Sequence, residues 1–358
     1  MMHANSTGAA AAKGQGEQTP AAHTKLTVKT SPNAELMLVV AMLVPPTPSP
    51  GHYGTVDHPI PQAAQRWFAP YADHPAVDTV RRLFYIPGAG FACDALTSFI
   101  LRRDEPPDLA ARYPHSRSAL DRAAGDARVL DRLVDELRDF YHVSRFASFW
   151  QEHAAAYQSI AGRTASDVRA GWAGEDVVAT LETYFGEERQ AYVLIPTPME
   201  RPGGGTMDPM GEDRDHIVAC FDCTVDKDWV LYLLYHEVGH GFVNPLAERY
   251  SALVARYEPL YPPLEEAMRP WGYVTWTTAL NEHVLRAQNC RLRRQLLGDA
   301  AAEEQLDREE GQGFAYVRAL EAQLAEYEAQ RARYPTLADF YPVLLTALDP
   351  LLASGEPG

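Results

Sequence analysis

The chain has 358 residues, 46% of them hydrophobic and 22% charged, which is the composition of an ordinary globular protein long enough to bury a real core. Its net charge is −16 and its few basic residues, nearly all arginine, are scattered, which argues against nucleic acid or an anionic membrane surface as a partner. The four cysteines, Cys93, Cys220, Cys223 and Cys290, include one Cys-x-x-Cys without a second pair. Buried free thiols in a reducing compartment are therefore expected, with the cytoplasm as the default location.

Residues 1–24 carry almost no large apolar side chains, cannot offset their ordering entropy, and read as a disordered tail. Residues 25–29 alternate like a short strand. Ser31 and Pro32 then open a helix as N-cap and first-turn residue. The apolar run 36–44 is too short to span a bilayer and ends in prolines without a cleavage site, so neither a membrane helix nor a secretory signal is expected. An irregular proline-rich loop follows to residue 61. Apolar residues at three- and four-residue spacing predict helices over 65–71, 76–84, 91–101, 120–142 and 144–160, and one or two more over 167–185. The period changes to that of strands at 190–199 and 216–222. The glycine-rich stretch 201–208 between them lacks the lysine of a phosphate loop and reads as a hairpin connection beside a substrate cleft.

Thr224 or Asp226 caps the next helix, where Trp229-Val-Leu-Tyr-Leu-Leu-Tyr runs straight into His236-Glu237-Val-Gly-His240. An apolar run of this kind belongs to a helix buried on all sides, and ionisable groups at its end need a reason. His236 and His240, four apart, project from one helix face and can bind one zinc through ring nitrogens. Glu237 is turned away from ligation and is placed to take a proton from the water that a metal activates. Gly239 and Gly241 keep bulk away from the helix wall, and Pro245 bars the helix from running much further. Another helix is expected to residue 257, a proline-rich bend at 259–270, a long helix over 274–297, an acidic turn over 299–313, and helices over 314–333 and 337–352.

Two histidines do not hold a catalytic zinc, and a third protein ligand is required. No further histidine follows His240 at metzincin spacing, which leaves a downstream helical carboxylate. Glu282 is the best placed. His283 is its rival, but adjacent helical residues point about 100° apart, so only one of the two faces the metal. A surface pair between Glu282 and Arg286, one turn later, is the plainer reading of the same carboxylate.

His236-Glu-Val-Gly-His240 followed by Leu280-Asn-Glu282 resembles the gluzincin zinc peptidases, whose third ligand is a helical glutamate often preceded by Asn. The stretches 235–245, 281–287 and 313–342, with 146–157, resemble more closely a bacterial domain-of-unknown-function family read as metallopeptidases. The resemblance covers most of the chain after residue 25. It implies zinc held by His236, His240 and Glu282, Glu237 as general base and acid, and Tyr316 as candidate donor to the oxyanion, although a structural role is open to any of the 18 tyrosines. Thermolysin-like gluzincins carry an Asp one turn after the third ligand; here that position is Arg286, so Asn244 or a backbone carbonyl must orient the histidines instead.

The expected fold is a predominantly helical α+β, zincin-like unit with a small sheet beside the His-Glu-x-x-His helix. A helical part spans 25–189 and a catalytic part 190–358, both within one unit. The expected function is zinc-dependent hydrolysis of a peptide or protein substrate. Its rivals are a zincin-shaped binding or scaffold protein without turnover and a helical interaction protein without metal.

Overall fold

The computed structural model describes residues 25–45, 58–84, 93–200, 205–210 and 216–354. The expected tail over 1–24, most of the proline-rich loop, the start of the helix at 91 and the first four residues of the glycine-rich stretch lie outside the described residues. The protein is predominantly helical with one small sheet, an α+β architecture. Among the described residues, four strands form the sheet: β1 (Leu26–Val28), β2 (Ala191–Thr197), β3 (Gly205–Met210) and β4 (His216–Asp222). Their order is β1-β2-β4-β3, with β1, β2 and β4 parallel and β3 antiparallel to β4.

The helices before β2 are α1 (Pro32–Met42), α2 (Pro59–Phe68), α3 (Pro75–Phe84), α4 (Cys93–Leu101), α5 (Arg117–Arg122), α6 (Ala127–Val143), α7 (Phe146–Glu152), α8 (Ala154–Ala170) and α9 (Val177–Phe185). After β4 come α10 (Lys227–Arg249), α11 (Ser251–Arg256), α12 (Glu265–Met268), α13 (Trp276–Leu297), α14 (Asp299–Gly311), α15 (Val317–Ala329), α16 (Leu337–Leu344) and α17 (Asp349–Ser354). Among the described residues, no helix is long and apolar enough to cross a membrane.

Strand periodicity sorts the sheet's side chains into two cores. Tyr192 and Leu194 of β2, with Ile217, Ala219 and Phe221 of β4, join the large cluster that contains α10, α13 and α15. Ile195, Val218 and Cys220 point the other way, onto Ala34 of α1 and Leu101 of α4. A separate cluster, rich in aromatic rings, binds α1 to α8 together. Cys220, Cys223 and Cys290 are buried and unpaired, as their sequence context predicts.

Short polar side chains start the principal helices. Ser31 caps α1 by accepting from the Ala34 amide, and of the two candidates before α10 it is Asp226 that accepts, from the Trp229 amide at 2.9 Å. Each such cap is worth about 1 kcal/mol. Thr224 instead donates its hydroxyl to Asp222.

Several sequence-based expectations are corrected. The 120–142 helix is two, because Ala124 and Gly125 take left-handed backbone angles and Asp126 starts α6 afresh. The 144–160 helix breaks as well, with Arg145 left-handed and α8 beginning beyond His153. The strands at 190–199 and 216–222 are not joined as a hairpin. They pair in parallel, Ala191 with His216 through Thr197 with Asp222, and β3, within the presumed loop, supplies the antiparallel neighbour. Pro245 sits inside α10, not at its end. The carbonyl its missing N–H leaves without an intrahelical donor, that of Gly241, accepts from the Arg189 guanidinium at 3.4 Å, and the helix runs on to Arg249.

The acidic stretch after residue 298 is also a helix rather than a turn. Its charges are held by Arg294, which reaches Asp299 and Glu303, and by Arg318, which reaches Glu303, Asp307 and Glu310. The inward face of that helix is Ala302, Gln305, Leu306 and Glu309.

Candidate metal centre

Helices α10 and α13 pack closely because α10 carries glycine where its neighbours come nearest. A Cβ at Gly239 would lie 2.7 Å from Leu285 of α13, and one at Gly241 only 2.4 Å from Ile217 of β4. The first glycine lets α13 approach; the second seats α10 on the sheet. Between the two helices lie His236, His240 and Glu282, whose donor atoms all fall within 4.8 Å of one another.

His236 Nε2 is 3.3 Å from one Glu282 oxygen and His240 Nε2 is 3.4 Å from the other. A charge-assisted N–H···O bond is shorter, about 2.7–2.9 Å. Two donors each 2.0–2.1 Å from one tetrahedral ion stand about 3.3 Å apart. The observed separations are longer than such a hydrogen bond and close to that donor–donor spacing, and the donor set of two imidazoles and one carboxylate fits a metal ion. The imidazole rings are nearly perpendicular, with centroids 5.0 Å apart, so both Nε2 atoms reach one point without ring overlap.

Asn244 settles the orientation of His240: its side-chain oxygen lies 3.1 Å from His240 Nδ1. A proton held there leaves Nε2 free to donate its lone pair. His236 is flanked by the Tyr232 ring, one turn earlier and within 13° of parallel. Glu282 is buried. Burial pushes its carboxyl up, but positive charge on the neighbouring His236, His240 and Arg286 outweighs it and holds the carboxyl well below the usual range. His236 and Glu237 are buried as well, and His240 is the most exposed of the four, so the centre faces solvent on the His240 side.

His283 is on another face of α13, with Nδ1 2.7 Å from the Ala279 carbonyl and the ring packed on Phe314 and Tyr316. Burial lowers its pKa to about 4, so it is a neutral core histidine. Glu237 makes no part of the three-donor cluster. Its carboxyl lies against β3, where a Cβ on Gly205 would stand 2.6 Å from the Glu237 carboxyl carbon. Tyr316 needs a correction. Its hydroxyl donates to the Leu260 carbonyl at 2.8 Å, and its ring is buried between Trp276 and His283, so the structure does not bring it to the metal cluster as an oxyanion donor.

Sequence reasoning missed two participants. Glu309 of α14 lies 2.7 Å from Arg286 and accepts from the Tyr232 hydroxyl. It was hidden in a stretch whose only outward signal is acidity. Gly205 belongs to a strand that the glycines disguise as a loop.

No curated protein and no solved structure matches the chain. A family model described as "Domain of unknown function (DUF4932)" matches residues 51–347, most of the sequence. The metal-donor cluster falls within that match, and the chain belongs to the DUF4932 family.

Proposed function

We propose that this protein is a zinc-dependent peptidase of gluzincin type with a zincin-like catalytic half. The observation that carries the reading is the donor spacing of His236, His240 and Glu282, with a fourth ionisable group, Glu237, beside them and outside the ligand set. Zinc bound there would polarise a substrate carbonyl and make a water acidic at neutral pH. His236 and His240 would hold the ion through Nε2, Asn244 fixing the tautomer of the second, and Glu282 would contribute the anionic oxygen. The Glu237 carboxylate accepts the proton of the attacking water and returns it to the departing nitrogen. Tyr316 has no part in this mechanism.

A peptide is favoured as substrate by the neighbouring sheet edge. Among the described residues β3 is the last strand of the sheet and brings Gly205 against the base, and an extended backbone is the ligand that a strand edge receives through main-chain hydrogen bonds.

The test compares wild type with Glu237→Gln on a mixed peptide library, with zinc measured on both. Equal zinc and a fall of about 10²- to 10⁴-fold in cleavage are expected, because the amide cannot take up the proton. Stoichiometric zinc without any cleavage by wild type would favour a zincin-shaped binding protein. Absence of zinc would remove the metal reading altogether.

A further inference from the structure

We propose that Glu309 is a positioning residue of the metal centre: it holds the Arg286 guanidinium off Glu282, leaving that carboxylate to the metal. The inference rests on the metal-site reading above. Arg286 follows Glu282 by one helical turn, the spacing at which a carboxylate and a guanidinium ordinarily pair. In a buried setting such a pair closes to about 2.7–2.9 Å and occupies the lone pairs that a metal needs. Here Nη2 stays 3.6 Å from Glu282, while Nη1 is 2.7 Å from Glu309. The cation thus gives its short contact to α14 and only its field to the ligand.

Glu309 is itself fixed from two sides. It accepts from the Tyr232 hydroxyl on α10 and from the Gln305 amide one turn earlier on α14. The Arg286 guanidinium carbon lies 3.8 Å from the centroid of the Phe314 ring, which closes off a third direction. Tyr232 ties the arrangement back to the site, because its ring flanks His236. Glu309 is fully buried and Arg286 nearly so, and solvent screens little of their attraction. A charge in that position would be costly without its partner, so the pair has to be retained as a unit or removed as one.

That requirement supplies the experiment. Zinc affinity of the full chain is measured by competition with a chromophoric chelator, with the absorption spectrum of the cobalt(II) form as a geometric readout. Melting of the metal-free proteins checks that each variant folds. Glu309→Gln keeps the shape and an acceptor for Tyr232 but releases Arg286 toward Glu282. Zinc affinity should fall about 10- to 100-fold, with a changed cobalt spectrum. The double variant Arg286→Met with Glu309→Gln removes the cation together with its restraint and leaves an apolar side chain on Phe314. It should recover most of the lost affinity. Should Glu309→Gln not fold, Tyr232→Phe takes its place: loss of the hydroxyl should weaken zinc binding several-fold with the fold intact. Unchanged affinity in Glu309→Gln, or in Tyr232→Phe where that variant stands in, overturns the proposal, and so does a double variant weaker than Glu309→Gln alone. Failure of wild type to bind zinc overturns the metal-site reading instead.

Discussion

Glu35 of α1 gives a stability prediction with a definite sign. It is buried, and its carboxyl accepts from the Tyr157 hydroxyl at 2.9 Å and from the Thr197 hydroxyl. Burial raises its pKa, the two hydroxyls lower it, and the nearby Glu200 raises it again, so that it rises from 4.5 to about 7. Between those values the folded protein keeps a proton that the unfolded chain has released. Stability conferred by the neutral acid is complete below the unfolded pKa and is lost as pH rises through the folded one, at about 1.4 kcal/mol per pH unit. Integrated from pH 5 to pH 8, the loss is about 2–3 kcal/mol. Glu35→Gln is permanently neutral and still offers an oxygen to both hydroxyls. Urea unfolding of the two proteins across that range should show the variant gaining about 2–3 kcal/mol on wild type as the pH rises. Parallel pH profiles would refute the argument, since they would mean that Glu35 binds the same number of protons folded and unfolded.

The His236–His240–Glu282 cluster was legible in the sequence in part, because the spacing of its two histidines is a property of the helix itself. His236 and His240 share a face at i, i+4 separation, and the 100° step between Glu282 and His283 means that only one of the two can join them. Long apolar runs and short polar caps located α1 and α10 for the same local reason. What failed was non-local. Whether β2 and β4 run parallel depends on where the connection travels, and β3 takes its place in the sheet through pairing that no periodicity in a Gly-Gly-Gly segment reveals. Pro245 is accommodated by an arginine 56 residues earlier in the chain. The helix that carries Glu309 has few apolar residues to mark a buried face, because part of that face is the buried charge itself. Tyr316 was chosen by its motif, and a motif does not say where a hydroxyl points.

Three further outcomes follow from the same contacts. Glu282→Ala should lose zinc, whereas His283→Ala should keep it while giving up about 2–4 kcal/mol of stability with its buried packing; the reverse pattern in metal content would put the ligand on the other face of α13. Tyr316→Phe should bind zinc as wild type does and cost about 1 kcal/mol through the lost hydrogen bond to Leu260. A fall in peptide cleavage at unchanged stability would return Tyr316 to the reaction. Gly241→Ala probes how α10 is seated on the sheet, because the new methyl would meet Ile217 Cδ1 at 2.4 Å. Overpacking of this kind costs about 1–3 kcal/mol, and Ile217→Val, which deletes that same carbon, costs about 0.5–1.5 kcal/mol alone. If the clash is the cause, the two changes compensate and the double variant is more stable than the sum of the single losses predicts. Additive losses by chemical denaturation would mean that α10 is set back from β4 by something other than the missing side chain, and that Gly241 has no steric part in placing His240.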